Sequence, residues 1–437
     1  MTLGLSFEQA ITLGVLAAVV AALIVDKFRA DGVALSGAAV LLMSGAVEPV
    51  QVQAAFASPA IIALAALFVI AYAMERSGLL DQAIRGGVWL AQRTGAAGIW
   101  VVMGLCGTAS AFLNNTPIVV LTAPVIRDVS AKVGLDPRRF LMPLSYITVL
   151  GGCCTLIGTS TNLLVNDMAR ASGAPAFAMF EITPVGLAVA LAGAAFLLVF
   201  SRPLIDRRRP ALEGERLVTM PPDHSAMVGD PTVFVPVQRF RPVHALVSFS
   251  VFVAVVAGAA LDVAPIAATA FAGAVVLILL GIISADEAYQ GLRPEILMLI
   301  AGMVVIGLAL EQTGLADAAT RRIVGWVGAL GPLFALVLFY GATLVLTELL
   351  SNATVAVLIT PVAVALAESL GTSPKPFVAA VMIAASAAFA TPFGYQTNAL
   401  VYQLGGYRYM DFVRVGLPLN LVTWAVAAIA IPLVFPF

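Results

Sequence analysis

The sequence predicts an all-α polytopic membrane protein built as an inverted repeat of two five-helix halves, each carrying one re-entrant hairpin and one broken helix. Three observations predict it. The 437 residues are 61% hydrophobic and 11% charged with a mean hydropathy of +1.02, whereas soluble domains are about one-half apolar and one-quarter charged. A segment of the first half recurs in the second. Two apolar stretches are each interrupted near the middle, by Asn114-Asn115-Thr116 and by Ser351-Asn352-Ala353-Thr354, which sets amides at membrane depth.

A hydropathy window of about 19 residues gives crossings near 7–25, 32–47, 59–75, 140–165 and 183–201, then 243–260, 265–283, 295–311, 377–402 and 414–435. Phe7 to Val25 has no basic residue before it and is too long for a signal-peptide core, so it is expected to be retained. The split stretches 98–126 and 332–364 leave arms expected to be too short to cross a hydrocarbon core about 30 Å thick, so both read as hairpins that enter and leave on one side.

Charge sets the orientation. Of the 23 Lys and Arg residues, only Arg170, Arg321, Arg322 and Lys375 fall on one side of this topology. Cytoplasmic loops carry the excess of basic residues, so both termini are expected outside, with the first hairpin opening from the cytoplasm and the second from the exterior. The repeat supports the same arrangement: Ala73 to Arg85 aligns with Ala309 to Arg321 at seven of 13 positions, and Asn115, Pro124, Gly158 and Asn162 match Asn352, Pro361, Gly394 and Asn398. Five crossings per half, an odd number, turn the second half upside down relative to the first. That arrangement is typical of secondary transporters with a midplane site. The domain reading is therefore 1–201, a cytoplasmic linker 202–242, and 243–437. Arg207-Arg208-Arg209 in the linker reads as a topology anchor.

Asn114-Asn115-Thr116-Pro117 predicts a return helix starting at Pro117, its free N–H groups aimed into the tip. Ser110 stands four residues before Asn114 and Thr347 four before Ser351, each pair on one helical face. Gly158-Thr159-Ser160-Thr161-Asn162 and Thr391-Pro392-Phe393-Gly394-Tyr395-Gln396-Thr397-Asn398 predict breaks in spans 140–165 and 377–402. Carbonyl and hydroxyl oxygens suit a hard cation and free N–H groups suit an oxyanion, so these elements predict paired cation sites beside an anion site. No Lys or Arg falls within them, so anion binding is expected to depend on co-bound cations.

The paired tips and breaks resemble the divalent anion/sodium symporter family of the wider ion transporter superfamily, over almost the whole chain. The resemblance implies a homodimer in the bilayer, most simply a bacterial cytoplasmic membrane, with scaffold and transport domains and an elevator-type cycle. It implies co-transported sodium and no organic cofactor. By motif position one sodium site would use Ser110, Asn114, Asn115 and the backbone of Gly158, and the other Thr347, Ser351, Asn352 and the backbone of Gly394. Asn115, Thr116, Thr159, Asn352, Ala353, Thr354 and Tyr395 would hold the substrate. The dicarboxylate members carry Ser-Asn-Thr twice and Pro-containing breaks. Asn114, Ala353, Thr159-Ser160-Thr161 and Tyr395-Gln396-Thr397 depart from that pattern toward the branch associated with sulfate and other small anions, without the regulatory modules that branch often carries in its central loop.

The expected function is sodium-coupled symport of a divalent anion, sulfate ahead of a C4-dicarboxylate. The alternatives are a proton-coupled exchanger of sodium or a metalloid oxyanion and, in another class, a channel. Glu348, three residues before the second tip, is either a coupling carboxylate or an internally paired structural one. Glu75 and Glu311 are repeat-related but stand at span ends. Cys106, Cys153 and Cys154 read as small core residues, His224 and His244 lack a ligand cluster, and no hydrolase, metalloprotease, nucleotide-binding or nucleic-acid-binding signature occurs.

Overall fold

A computed structural model describes residues 6–25, 28–79, 82, 86, 93–205, 240–261, 263–314, 331–392 and 394–437. The linker arginines Arg207-Arg208-Arg209 and His224, with Arg85, Arg321 and Arg322, lie outside the described residues. The described residues form helices and connecting turns, and contain no strand.

The first half comprises α1 (Phe7–Val25), α2 (Ala30–Met43), α3 (Pro49–Phe56), α4 (Pro59–Arg76), α5 (Ala96–Ser110), α6 (Asn115–Lys132), α7 (Arg138–Gly152), α8 (Ser160–Ala171) and α9 (Thr183–Ile205). The second comprises α10 (Pro242–Ala260), α11 (Ile266–Leu279), α12 (Ala285–Gly291), α13 (Pro294–Gln312), α14 (Pro332–Leu349), α15 (Asn352–Ser369), α16 (Lys375–Ser386), α17 (Gln396–Gly405) and α18 (Tyr409–Val434). Long, short and interrupted helices follow one another in the same order in both. Their packing also corresponds when the halves are exchanged: α2 against α13 mirrors α11 against α4, α5 against α7 mirrors α14 against α16, and α6 against α17 mirrors α15 against α8.

Packing divides the molecule differently from the sequence. Helices α1–α4 pack mainly with α10–α13, and α5–α9 mainly with α14–α18. The two groups meet chiefly where α13 touches α8 and α15 and where α4 touches α8. At that seam the Ser58 hydroxyl, which caps α4, donates to the Asp167 carboxylate of α8 at 3.0 Å.

Burial explains which helices lie at the centre. Every residue from Phe140 to Gly152 in α7 and from Pro376 to Ser386 in α16 is buried, so these two helices are enclosed on all sides. By contrast Leu191 and Phe200 of α9, Leu246 of α10, Phe271 and Leu279 of α11 and Leu433 of α18 are exposed. Apolar side chains turned outward on long helices suit lipid, and this is an integral membrane protein.

Six described helices are long and apolar enough to span a bilayer, or seven counting α12 and α13, which meet at a 58° bend, as one. Helices α2, α5, α11 and α16 are shorter, so the ten expected crossings are not ten uniform spans. The expected hairpin arms need correction. Helices α14 and α15 have 18 residues each, about 27 Å at 1.5 Å per residue, so length alone does not exclude a crossing. Hydropathy windows close at the first polar residues, whereas α6 and α15 continue through theirs to Lys132 and Ser369.

The polar ends sort into two sets. Tyr407, just before α18, donates to the Arg138 carbonyl at the start of α7, which brings together residues from the arginine-rich loops. At the start of α16, Lys375 pairs with Glu181 and lies over the Phe177 ring, which packs edge-on against Phe435. The C-terminus therefore lies beside Lys375, one of the four basic residues that the charge count set apart.

Candidate functional site

At the first tip the chain leaves α5 after Ser110, turns through Ala111–Asn114 and re-enters helix at Asn115. Asn114 is the N-cap and accepts from the Thr116 N–H at 3.2 Å. The return helix thus begins two residues before the expected Pro117. Proline is tolerated at that third position because the N–H it lacks would have no intrahelical acceptor. Asn115 turns inward and is 1% exposed. Its Oδ1 accepts from the Ser110 hydroxyl, and its Nδ2 donates to the Tyr395 hydroxyl at 2.7 Å. Ser110 therefore bonds Asn115, five residues on, and does not share a helical face with Asn114 as expected, because the helix ends between them.

The breaks are longer than Gly158 and Gly394 alone suggest: α7 stops at Gly152 and α8 starts at Ser160, while α16 stops at Ser386 and α17 starts at Gln396. One set of side-chain ties holds each break open. The Thr155 hydroxyl donates to the Ala111 carbonyl and accepts from Gly158 N–H at 3.1 Å, while Asn162 Nδ2 donates to the Thr155 carbonyl at 2.9 Å. In the second half the Thr391 hydroxyl accepts from Gly394 N–H at 3.1 Å and reaches the Glu348 carbonyl at 3.4 Å. Asn398 Nδ2 donates to the Ala388 and Thr391 carbonyls at 2.7 and 3.2 Å. Sequence reading missed Thr155 and named Thr391 only as the first residue of the second break, although Thr-x-x-Gly-x-x-x-Asn occurs at both breaks.

Gly158 lies among oxygens. A methyl group there would stand 2.5 Å from the Gly152 carbonyl oxygen, 2.8 Å from that of Ala111 and 2.9 Å from that of Ser110. A methyl on Gly152 would meet Asn115 Oδ1 at 2.7 Å and the Gly158 carbonyl oxygen at 3.2 Å. Ser110, Asn115, Gly152 and Gly158 thus turn oxygen toward one small region. Asn114 contributes its cap and, with Gly158 and Ser160, lines a mostly apolar cavity under Leu64 and Phe68 of α4 and Phe252 of α10.

The second tip repeats this plan with different chemistry. Ser351 caps α15 by accepting from Thr354 N–H at 3.2 Å, and its hydroxyl lies 2.6 Å from that of Thr354. The Thr347 hydroxyl donates to the Ala385 carbonyl at 2.7 Å. Asn352 Nδ2 then donates to Thr347 Oγ1 at 2.9 Å and to the carbonyls of Gly394 and Ala385, each at 3.2 Å. Three oxygens converge on one end of the Asn352 amide. If the amide turns over, its own Oδ1 makes a fourth.

Gly394 and Tyr395 join the tips, since the Gly394 carbonyl receives Asn352 while the Tyr395 hydroxyl accepts from Asn115 and lies close to Thr159. Thr116 Oγ1 lies 3.3 Å from Gln396 Oε1. The structure therefore brings Asn115, Thr116, Thr159 and Tyr395 together, and separately Thr347, Ser351, Asn352 and Thr354, linked through Gly394-Tyr395. Ala353 is half-buried beside the second group. Glu348 Oε1 accepts from Ala390 N–H at 2.7 Å and from Asn420 Nδ2 at 2.6 Å, so its carboxylate grips the unwound segment of the second break.

Two capped turns and two unwound segments meet inside a bundle with an apolar exterior, and the chain is a secondary transporter of the ion transporter superfamily. The chain belongs to the CitMHS family, described as Citrate transporter, whose model matches residues 20–266 and 252–437. An uncharacterized transporter of Synechocystis sp. is 24% identical, covering 98% of this chain and 97% of that protein. The alignment runs over 602 positions, so that relative carries insertions this 437-residue chain lacks. Sodium/sulfate cotransporter 1 of Chlamydomonas reinhardtii is 35% identical over 155 residues, 35% of this chain and 18% of that protein. The crystal structure of the Alcanivorax borkumensis YdaH transporter has the same fold, with a TM-score of 0.62, 16% identity and coverage of 98% of this chain and 97% of that one.

Proposed function

We propose that this protein is a sodium-coupled symporter of a small divalent oxyanion, sulfate ahead of a C4-dicarboxylate. The observation that carries the reading is the convergence of Thr347 Oγ1 and the Gly394 and Ala385 carbonyls on the Asn352 amide. In the arrangement described, amide protons supply the positive charge those oxygens need. A sodium ion replaces them when the amide turns and offers Oδ1, giving four hard oxygen ligands. Ser110, Asn115 and the carbonyls around Gly158 form the first site on the same logic, and Asn114 and Ser351 fix the tips as caps.

The anion then binds between the tips, where Asn115, Thr116, Thr159, Asn352, Ala353, Thr354 and Tyr395 surround it. No Lys or Arg lies in these segments, so the sodium ions and helix N-termini balance its charge. The Tyr395 hydroxyl leaves Asn115 for a substrate oxygen, which makes substrate entry a replacement of one internal bond. The limited seam between the two packing groups supports an elevator cycle, with α5–α9 and α14–α18 moving against α1–α4 and α10–α13. In this reading the halves are inverted repeats, the protein is a homodimer in a bacterial cytoplasmic membrane, and both termini face outward. The name of the sodium/sulfate relative supports the ion and the anion, and the family description makes citrate the comparison to include.

Uptake into liposomes under separately imposed sodium, potassium and pH gradients tests the coupling ion. Sodium dependence with a Hill coefficient above one is expected. Thr347→Ala should weaken apparent sodium affinity roughly tenfold, the loss of about 1.4 kcal/mol, and change substrate affinity little at saturating sodium. Equal uptake in choline and sodium would overturn sodium symport. It would favour the exchanger reading, for which the position of Glu348 at the second break is the supporting observation.

Substrate class follows from donor density. A desolvated tetrahedral oxyanion needs hydrogen bonds from several directions, which Thr159, Tyr395 and Gln396 are placed to give. Sulfate or thiosulfate should compete with uptake better than succinate or citrate at equal concentration, and Tyr395→Phe or Thr159→Val should narrow that preference. Stronger competition by a carboxylate would overturn the anion assignment and leave the carrier reading standing.

A further inference from the structure

We infer that Ser145 and Tyr146 of α7 are positioning residues for the second cation site, which is therefore formed before its ion arrives, whereas the first break is ordered by its ion. The inference rests on the symport reading and adds an order of binding to it. Both residues are fully buried, and both reach from the first half into the break of the second. The Tyr146 hydroxyl donates to the Phe389 carbonyl at 2.6 Å, and its ring meets the Phe389 ring edge-on at 5.1 Å. Gly416 of α18 packs on the same carbonyl, since a methyl group there would stand 1.9 Å from its oxygen. Phe389, inside an unwound stretch, is thus pinned by two helices.

Ser145 holds the far end of that break. Its hydroxyl donates to Asn398 Oδ1 at 2.7 Å and lies 2.8 Å from that of Thr397. Asn398 Nδ2 donates in turn to the Ala388 and Thr391 carbonyls, and the Thr391 hydroxyl accepts from Gly394 N–H. A chain of bonds therefore runs from α7 to the residue whose carbonyl receives Asn352, and both ends of the Asn398 amide are engaged.

The first break keeps the glycine contact and lacks both ties. Gly186 of α9 stands against the Cys153 carbonyl, where a methyl group would be 2.4 Å from the oxygen, as Gly416 stands against that of Phe389. The register that aligns Gly158 with Gly394 and Asn162 with Asn398 sets Cys153 opposite Phe389, and it sets Val381 and Met382 of α16 at the places of Ser145 and Tyr146. Helix α16 packs against α8 as α7 packs against α17, but neither Val381 nor Met382 has a side-chain N–H or O–H to give. The consequence appears at Asn162. Its Nδ2 holds the Thr155 carbonyl, whereas its Oδ1 is buried without a partner. Buried polar atoms left unpaired are few in folded proteins, and here the same asparagine is anchored at both ends in one break and at one end in the other. A site already held in its bound geometry avoids the ordering cost that a loose one meets when its ligand arrives. Sodium therefore binds the second site at the lower concentration, and the first break orders as its own ion binds.

Amide hydrogen exchange of the purified full-length protein, followed by mass spectrometry in choline and then across a sodium titration, tests the order without a mutation. In choline, peptides covering 153–157 should exchange at least roughly tenfold faster than those covering 387–391, as expected for the less tied of two segments, and sodium should slow the former by the larger factor. Tyr146→Phe and Ser145→Ala each remove only a hydroxyl. Each should raise the sodium concentration for half-maximal thermal stabilisation roughly fivefold, about the strength of one internal hydrogen bond, with the loss falling on sodium affinity rather than on turnover at saturating sodium. A purely structural role would lower the thermal midpoint in choline and leave that concentration where it was. Val381→Thr keeps the shape of the side chain and adds a hydroxyl at the place corresponding to Ser145, so it should slow exchange of 153–157 in choline. Equal exchange of the two breaks in choline would overturn the proposal, as would unchanged sodium titrations in both hydroxyl-free variants. Absence of sodium-induced stabilisation in the unmutated protein would instead count against the symport reading, and the exchange comparison in choline, which needs no ion, would still judge the two breaks.

Discussion

Asn115→Ala and Asn352→Ala should each lower uptake at least roughly 100-fold, a loss of about 2.7 kcal/mol, while the protein still folds and assembles. Each asparagine is buried at the first residue of its helix; Asn115 touches Tyr395 of the second break, and Asn352 touches Thr347, Ala385 and Gly394 of its own half. Removing Asn115 frees Tyr395 from the first tip and leaves the Ser110 hydroxyl without its acceptor. Removing Asn352 takes away the group on which Thr347, Ala385 and Gly394 converge. The structural cost is about 1–3 kcal/mol for the unsatisfied groups, spread over a bundle whose α7 and α16 are enclosed on all sides. Thermal midpoints should therefore fall by only a few degrees. Asn115→Asp separates the two roles, because a carboxylate there keeps a cation ligand and repels the anion: sodium-induced stabilisation should persist while substrate-induced stabilisation is lost. Near-normal uptake in either alanine variant would sink the assignment of both tips.

The tips were legible because an amide in an apolar stretch is costly unless it is used, and both motifs fall at matching points of the repeat. Other features carry no such signal. The unwound stretch after Gly152 begins Cys153-Cys154-Thr155-Leu156-Ile157, and the one after Ser386 begins Ala387-Ala388-Phe389-Ala390. Both read as uninterrupted span on hydropathy, so only the glycines near their far ends, with Pro392 in the second, revealed a break. Apolar windows likewise understated the hairpin arms, since a helix continues past its last apolar residue wherever its partners bury it. The Ser110–Asn115 bond was missed because four-residue spacing applies only inside a continuous helix, and the chain uncoils between these residues. Asn420 was invisible for another reason. It is a single amide in a 26-residue helix, and its partner Glu348 is 72 positions away. The division into two packing groups was equally hidden from span counting, because each group takes helices from both halves.

Adding one methyl group at Gly158 should be more damaging than adding one at Gly394, although the repeat makes the positions equivalent. At Gly158 the new carbon would stand 2.5–2.9 Å from three backbone carbonyl oxygens, those of Gly152, Ala111 and Ser110. Backbone held by α5 and α7 cannot move aside without shifting the tip. At Gly394 its nearest neighbours are the Ala388 Cβ at 2.8 Å and the Thr391 Oγ1 at 2.9 Å, both side-chain atoms, one of which can rotate. Overfilling a packed interior costs about 1–3 kcal/mol, and at Gly158 that strain falls on the oxygens proposed to bind sodium. Since a ligand that binds only the folded protein raises its stability with concentration, the thermal midpoint in sodium minus that in choline reads the damage directly. Gly158→Ala should lose most of the sodium-induced shift and lower uptake by at least roughly tenfold, whereas Gly394→Ala should keep a larger part of both. Because both variants add the same methyl group, a general packing defect would lower both midpoints in choline without abolishing the sodium difference. A full sodium response in Gly158→Ala would mean that these carbonyls do not bind the cation, and the first site would have to be drawn without them.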